Sequence, residues 1–254
     1  MNWRALCFAL IATLPSAATS TEILPSGTTF LSQGLQAQAA DAGANPGMLW
    51  VADGERLWNT AESAASSSCA SCHGDAEVSM RGVATRYPLV IPGSNQLLNL
   101  EGRINTCRVQ RQNALAYAHE SDELLSLSAF VARQSLHMPL KVTVNDANAE
   151  FFAAGEAAFH QRRGQLNLSC ANCHVERVGL RLRGDVITHA LPNAFPIYRL
   201  EWQGLGSLHR RLRACALGVR AEMFDYGSEA YLNLELYLTV RANGVAVETP
   251  GIRK

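Results

Sequence analysis

Two copies of one short cysteine motif constrain this chain more than any other feature. They read CASCH at residues 69–73 and CANCH at residues 170–174. In a C-x-x-C-H motif the two cysteines form thioethers with a c-type haem, and the adjacent histidine binds the haem iron. A zinc site is the alternative, but zinc spacings do not place a histidine directly after the second cysteine.

The duplicated motif predicts two covalently bound haem c groups. The first motif would supply thioethers from Cys69 and Cys72 and an axial nitrogen from His73. The second motif would supply the same groups, and they are Cys170, Cys173 and His174. A chain built around two such groups needs helices and long loops that pack against them.

The N-terminus has the features of an export signal. Arg4 is followed by an apolar run over residues 5–14 and then by small residues, and the run is too short to span a bilayer. We therefore expect residues 1–20 to be removed and the mature protein to reside in a periplasm. No later run is apolar enough for a membrane helix, and a net charge of zero provides no field that would attract nucleic acid.

The segments around the two motifs repeat one another, which suggests a duplicated unit. GERLW at 54–58 precedes the first motif and GEAAF at 155–159 precedes the second, at the same offset. Each half then closes with an apolar segment of helical period, 124–134 and 231–242. This order predicts a mainly α fold of two tandem class I cytochrome c-like domains. In such domains the first and last helices cross, here through Gly54 against Phe130 and Gly155 against Tyr237.

The same reading predicts the organisation of the chain. The expected segments are a signal peptide at 1–20, an N-terminal extension at 21–47, a first cytochrome c domain at 48–137, a linker at 138–147, a second, catalytic cytochrome c domain at 148–245 and a C-terminal tail at 246–254.

The second axial ligand of each iron is the next question. Methionine is the usual answer, but Met80, Met138 and Met223 are placed unsuitably along the chain and are expected to serve in packing. The other histidines have no matched positions in the repeat, so surface or structural roles are expected for them: His119, His137, His189 and His209.

Two lone cysteines do match between the halves. Aligning Cys107 with Cys215 places LLNLEGRINTC (97–107) over LGSLHRRLRAC (205–215). An apolar stripe of helical period precedes each cysteine and should face the protein interior. Its members are Leu97, Leu100 and Ile104 in the first half and Leu205, Leu208 and Leu212 in the second.

This alignment predicts that Cys107 and Cys215 project at the edge of a haem pocket and bind iron opposite His73 and His174. The alternative is a disulfide between them, which an oxidising compartment would permit. Equivalent positions in two domains should each face their own haem, however, and not each other.

An arginine lies one helical turn before each of these cysteines. Arg103 precedes Cys107 and Arg211 precedes Cys215 at the i, i+4 spacing that brings side chains together. Arg210 and Arg213 should point away. The residues themselves do not decide which of the two arginine–cysteine pairs carries chemistry.

The sequence resembles the SoxA family of cytochrome subunits over about residues 48–245. The resemblance rests on long segments: CASCHGDAEVSMRGVATRYP, LEGRINTCR, LNLSCANCH, FPIYRLEWQGLGSLHRRLRAC and GVRAE. It implies two class I cytochrome c domains, His/Cys ligation of both irons, and a small monohaem c-type partner, SoxX.

The resemblance also implies an activity, that of an L-cysteine S-thiosulfotransferase. The family joins thiosulfate oxidatively to a cysteine of the carrier SoxYZ, and electrons pass through haem to an acceptor cytochrome. The family's active cysteine falls on Cys215, which can carry an extra sulfur as a persulfide, and its neighbouring arginine falls on Arg211.

Two other functions remain open from the sequence. One is a dihaem cytochrome that only transfers electrons, in which cysteine ligation merely sets a low potential. The other is a dihaem peroxidase, which needs an iron site that can open to peroxide.

Overall fold

The computed structural model describes residues 22–254; the expected export signal lies outside the described residues. The fold is mainly helical, as expected. The first half contains α1 (Gln33–Ala40), α2 (Met48–Asn59), α3 (Cys69–His73), α4 (Ala76–Ser79), α5 (Leu100–Arg111) and α6 (Asp122–Arg133). The second half contains α7 (Ala149–His160), α8 (Cys170–His174), α9 (Leu208–Gly218) and α10 (Glu229–Arg241). Short 3₁₀ helices cover Gly27–Phe30 and Ala84–Arg86.

Short strands connect the helices. Two antiparallel hairpins are formed by β1 (Leu89–Val90) with β2 (Leu97–Leu98) and by β3 (Arg181–Leu182) with β4 (Asp185–Val186). A three-stranded sheet has the order β6-β5-β7, from β5 (Ile197–Arg199), β6 (Gly204–Gly206) and β7 (Gly251–Arg253). Within residues 22–254, each helix is too short or too polar to cross a membrane.

The two halves use the same helix crossing. In α2, a Cβ on Gly54 would lie 2.2 Å from the carbonyl oxygen of Ser126 and 2.6 Å from Cβ of Phe130 in α6. In α7, a Cβ on Gly155 would lie 2.0 Å from the carbonyl oxygen of Asn233 and 3.0 Å from Cβ of Tyr237 in α10. Both expected glycine–aromatic crossings are therefore confirmed, and only glycine permits such close helix approach.

The two halves also use the same hairpin register. Val90 pairs with Leu97 in the first half, and Tyr198 pairs with Leu205 in the second, so the pairs are related by a shift of 108 positions. Leu97 and Leu205 thus lie in strands. The prediction that they begin a helical stripe was wrong for these two residues.

Capping explains where the helices begin instead. The side chain of Asn99 accepts a hydrogen bond from the Gly102 amide at 2.9 Å, and Ser207 accepts from the Arg210 amide at 3.1 Å. A side-chain oxygen at the N-cap satisfies an otherwise unpaired helical N–H. Therefore α5 and α9 each begin one residue after the cap, and the preceding leucine remains free to pair in a strand.

The segments that the sequence suggested as linker and tail are packed into the fold. Leu140 is 6% exposed, and its amide donates to the carbonyl oxygen of Val245 at 2.9 Å. At the C-terminus β7 pairs in parallel with β5, and Ile252 is fully buried. Both segments are therefore packed parts of the fold.

Candidate haem-binding and catalytic site

The second motif forms the single-turn helix α8. Ser169 caps it, since its hydroxyl accepts from the Asn172 amide at 3.3 Å while the Asn172 side chain accepts from the Ser169 amide at 3.0 Å. This reciprocal box starts the helix directly before Cys170. Helical spacing then places Cys170 and Cys173 on one face with His174 beside them, as two thioethers and an axial ligand require.

The imidazole of His174 is oriented by a backbone carbonyl. Its Nδ1 lies 2.6 Å from the carbonyl oxygen of Thr188. A carbonyl oxygen can only accept, so Nδ1 carries a proton, and Nε2 is the nitrogen left for a metal ion. Metal-binding histidines are commonly oriented in this way through their second nitrogen. The arrangement therefore fits a haem iron at Nε2.

Cys215 of α9 lies opposite this histidine. Burial raises the pKa of the Cys215 thiol, but a hydrogen bond with His174 and the positive charges of Arg211, His174 and Arg199 outweigh it and leave the pKa lowered. A lowered pKa favours the thiolate, which is both the nucleophile and the metal ligand. Because Nδ1 of His174 is engaged elsewhere, the nitrogen that faces Cys215 is Nε2, so the pair suits the two axial positions of one iron.

The sulfurs of the second half converge. Burial raises the pKa of Cys170 to about 11, and the negative charges of Cys215 and Cys173 add to the effect. All the cysteines in the described residues are free thiols, so the disulfide alternative between Cys107 and Cys215 is not present. Each lone cysteine instead lies near the motif of its own half, since Cys107 acts on Cys69 and Cys215 on Cys170.

Two guanidinium groups act on Cys215, and only one of them was expected. Arg211 is the predicted neighbour one turn earlier. Arg199 lies on β5 and was missed, although it belongs to the FPIYRL segment. Its side chain is 7% exposed and pairs with Glu201 at 3.1 Å and Asp185 at 3.6 Å, while its Nε has no hydrogen-bond partner among the described residues. The second half thus holds two arginines near one thiol.

The arginines on either side of Arg211 are used elsewhere. The guanidinium of Arg210 lies 4.2 Å from the ring centre of Trp202 and 3.9 Å from the Glu120 carboxylate. Arg213 lies 4.7 Å from the ring centre of Tyr226 and donates to the carbonyl oxygen of Phe224. The prediction that both point away from Cys215 agrees with these contacts.

The first motif forms the corresponding turn, α3. Trp58 donates from its indole nitrogen to the carbonyl oxygen of Gly74 at 3.0 Å, and its ring centre lies 5.8 Å from that of His73. Gln112 donates to Sγ of Cys69 at 3.2 Å. Burial raises the pKa of the Cys69 thiol, Gln112 lowers it, and the charge of nearby Cys107 raises it again. Cys69, His73 and Cys107 therefore have the composition of a second haem site.

The arginines separate the two sites. The hairpin equivalence places Ile91 of the first half at the position of Arg199. Ile91 lies opposite Gln96, and Arg199 lies opposite Gly204. Arg108, which follows Cys107 directly, is committed to an ion pair with Glu62 at 2.6 Å. The first half therefore matches Arg211 with Arg103 but has no charged counterpart of Arg199, which is itself paired with Glu201 and Asp185.

Met80 and three of the four other histidines considered as ligands make packing or pairing contacts instead. Met80 packs against the core between α2 and α6. Among the histidines, His119 stacks on Tyr226, His189 packs edge-on against Phe30, and His209 pairs with Glu235. These contacts agree with the structural roles expected for them.

A helical fold that presents C-x-x-C-H on a capped turn, with a histidine nitrogen free for iron, defines a c-type cytochrome. Residues 53–140 match the family described as SoxA/TsdA, cytochrome c domain. The chain therefore binds haem c covalently.

The relatives identify the family. The chain is 39% identical over 216 residues to the L-cysteine S-thiosulfotransferase subunit SoxA of Pseudaminobacter salicylatoxidans, covering 85% of this chain and 76% of the relative. It is 34% identical over 209 residues to the subunit of that name from Paracoccus pantotrophus, covering 82% and 72%. A crystal structure of SoxXA from P. pantotrophus superposes with a TM-score of 0.87 at 32% identity, covering 91% of this chain and 87% of that one. The chain belongs to the SoxA family.

Proposed function

We propose that this protein is the catalytic cytochrome subunit of a periplasmic L-cysteine S-thiosulfotransferase. The enzyme would couple thiosulfate oxidatively to a cysteine of a SoxYZ-type carrier. One observation carries the assignment of chemistry to this chain. The pKa of the Cys215 thiol is lowered, and the positive charges of nearby Arg211 and Arg199 contribute to this lowering. Membership of the SoxA family supplies the reaction class.

The proposal includes two haem c groups, one in each of two tandem class I cytochrome c domains. Domain 1 would span 48–137 and domain 2 would span 148–245. The repeated glycine crossing and the repeated hairpin register support this division. His73 with Cys107 and His174 with Cys215 are the proposed axial pairs. A SoxX-type monohaem cytochrome is the proposed partner in a heterodimer.

The arginines would bind the substrate. Thiosulfate is a dianion, and its sulfonate oxygens suit the planar donors of a guanidinium through charge-assisted hydrogen bonds. If Arg211 holds the sulfonate end, the sulfane sulfur is left facing Cys215. When bound, haem supplies a one-electron acceptor for the oxidation. A two-electron coupling therefore needs a second acceptor, such as the other haem or the partner.

The sulfur chemistry balances in two steps. In the first step the Cys215 thiolate and thiosulfate form a sulfur–sulfur bond, and two electrons leave. In the second step the carrier thiolate attacks the sulfane sulfur, the new carrier–sulfur bond forms, and the Cys215 thiolate departs. Starting from a Cys215 persulfide, the same steps apply with one additional sulfur. Cys215 thus serves as sulfur carrier as well as proposed iron ligand.

The experiment combines the purified protein, its monohaem partner, the carrier, thiosulfate and an electron-acceptor cytochrome. Intact mass of the carrier should increase by one thiosulfate group, and the acceptor should become reduced. Reduction of the acceptor without any change in carrier mass would support an electron-transfer cytochrome instead. Peroxide consumption with a high-spin haem would support a peroxidase.

A further inference from the structure

A cavity of about 80 Å³ lies between the helices that carry Cys107 and Cys215. Leu100 and Glu101 line it from α5, and Leu208 and His209 line it from α9. These residues are equivalent in the repeat, because the hairpins before the two helices are related by a shift of 108 positions. The cavity therefore lies between matching faces of the two halves.

The last helices of the two halves contribute in the same way. Ser128 of α6 and Glu235 of α10 both line the cavity. Each lies two residues before the aromatic residue that crosses a glycine, Phe130 or Tyr237. The apolar residues that line the cavity are similar in the two halves, but the polar residues that line it differ. The differences place one histidine and two carboxyl groups around a single interior space.

Two of these side chains are held firmly at the wall. His209 is 1% exposed, and its Nε2 lies 3.0 Å from Oε2 of Glu235. The same carboxylate oxygen accepts a hydrogen bond from Nδ2 of Asn99 at 3.0 Å, and Nδ1 of His209 accepts from the Gly227 amide at 3.1 Å. The contacts join α9, α10 and the N-cap of α5, so the cluster spans the boundary between the halves.

The cavity is polar enough to hold water. The hydroxyl of Ser128 and the side-chain oxygen of Asn193 are buried in its wall, and neither has a hydrogen-bond partner within residues 22–254. Buried polar atoms are normally satisfied by protein or by ordered water. One water needs roughly 10–15 Å³ of such space, so several waters fit. Water in this position would connect the carboxyl groups with one another.

Glu101 is a group of this cluster that would exchange a proton near neutral pH. Burial raises the pKa of Glu101 to about 8; nearby His209 lowers it, and the charges of Glu235 and Glu120 raise it further. Burial lowers the pKa of His209, but its hydrogen bond with the Glu235 carboxylate outweighs this effect and leaves that pKa raised. Arg210, 3.9 Å from Glu120, is the nearest cation to that carboxylate. The charged groups that face Glu101 therefore come from α9, α10 and the segment before α6.

The cluster is also close to both proposed iron sites. Glu101 and His209 each precede a proposed cysteine ligand by six residues, which is about 9 Å along a helix axis. Tyr87 provides a second connection, because it lines the cavity. Burial raises the pKa of its phenol, Arg103 lowers it, and the charge of Cys107 raises it. A charge added at either iron would thus act on the cluster through the protein interior, where screening is weak.

We propose that Glu101, together with His209 and Glu235 around this hydrated cavity, binds one proton from solvent when a haem of this protein is reduced and releases it when the haem is oxidised. The electron adds negative charge near the cluster, and the proton offsets it. The coupling is reciprocal. The free energy by which protonation of Glu101 favours haem reduction equals the free energy by which haem reduction favours protonation of Glu101. The inference rests on the proposed function only in requiring bound haem.

The test is a spectroelectrochemical titration of the purified holoprotein, with dithionite as reductant, at a series of pH values on both sides of pH 8. In the wild type, at least one haem potential should become more negative as pH rises through about 8. In Glu101→Gln this dependence should be lost. Glu123→Gln, which removes an exposed carboxylate at the start of α6, is the matched control and should keep it.

A second variant protects the test against a folding defect. Glu235→Gln removes a negative charge that raises the pKa of Glu101, so the bend in the potential should move to lower pH. Potentials that do not vary with pH in the wild type, or equal slopes in wild type and Glu101→Gln, would overturn the proposal. Equal slopes would assign the effect to another group, such as His209 or the haem's own carboxylates. The mass of the carrier measures sulfur transfer independently of the haem potentials. Loss of the pH dependence of the potential and loss of sulfur transfer are therefore distinguishable.

Discussion

Cys215 and Cys107 occupy the same position in two copies of one helix, yet their surroundings differ. Arg211 and Arg103 are matched, whereas Arg199 has Ile91 as its counterpart. The extra guanidinium is buried and paired with Glu201 and Asp185, and it helps to lower the pKa of the Cys215 thiol. An oxyanion substrate and a reactive thiolate are both stabilised by positive charge. The difference between the halves is therefore decided by single residues around a shared framework.

Replacing Cys215 with methionine should abolish sulfur transfer while leaving haem attached. Cys170 and Cys173 still form the thioethers, but a methionine thioether cannot carry a transferable sulfur and lacks the thiolate charge. The potential of the second haem should rise. Carrier mass after incubation with thiosulfate and the potentials of both haems are the measurements. Carrier modification near the wild-type rate would show that Cys215 is not the catalytic sulfur.

Cys107→Met is the matched variant in the first half. It should raise the potential of the first haem and weaken carrier modification without abolishing it, because Cys215 is the proposed sulfur carrier and the first site is left a role in electron transfer or structure. The same carrier assay and potentiometry apply. Complete loss of transfer, with haem content and fold intact, would contradict the division of labour between the two cysteines.

Substitutions at Arg211 should lower the efficiency of thiosulfate use in a graded series. Arg211→Lys keeps a positive charge but loses the planar fork, and Arg211→Ala loses both. We expect kcat/KM for thiosulfate to fall from wild type to lysine to alanine, with both haem spectra little changed. Arg213→Lys serves as a control, because Arg213 is engaged with Tyr226 and Phe224. Identical kinetics across the Arg211 series would transfer oxyanion recognition to Arg199 or to the partner subunit.

At the scale of elements, the framework is a glycine-mediated helix crossing and a hairpin that leads into a capped helix, used twice. The crossing brings α2 against α6 and α7 against α10 with backbone in contact. The hairpin aims the following helix, α5 or α9, toward the motif of its own half. The lone cysteine at the end of that helix is positioned in consequence. Rigid elements therefore hold the proposed axial ligands.

A methyl group at the second crossing should be costly. In Gly155→Ala the new Cβ would lie 2.0 Å from the carbonyl oxygen of Asn233, which is backbone and cannot turn away. We expect a loss of about 3 kcal/mol or more in the free energy of unfolding, and a lower melting temperature. Gly34→Ala in α1 is the control, because nothing lies within 4 Å of its Cβ. The control should be neutral or gain roughly 0.5–1 kcal/mol; equal stability of both variants would contradict the close crossing.

At the scale of the whole molecule, the linker segment and the C-terminal strand are both part of the packed fold. The 138–147 segment and the C-terminal strand β7 both pack into the interior. Between the halves lies the cavity with Glu101, His209 and Glu235. A buried carboxyl group at such a boundary makes the stability of the assembly depend on pH.

The sign of this dependence follows from the direction of the pKa shift. Burial raises the pKa of Glu101 from 4.5 to about 8, so the folded state holds this proton more tightly than the unfolded chain. Its contribution is fully present below pH 4.5 and is lost as pH rises through about 8. Glu101→Gln should therefore flatten the decline in melting temperature over this range. The corresponding loss in the free energy of unfolding is about 1.4 kcal/mol for each unit by which the pKa differs between the folded and unfolded states. A decline as steep in the variant as in the wild type would rule out Glu101 as its source.

What the sequence by itself determined is local. The C-x-x-C-H turns and the pairing of Arg211 with Cys215 follow from spacing along a helix, which is a property of neighbouring residues. What only the tertiary structure decided depends on residues far apart in the chain. It placed Leu97 and Leu205 in strands, packed the supposed tail into a sheet, and brought Arg199 to the thiol. Burial, strand register and charge proximity arise when distant segments pack together, so no local pattern reports them.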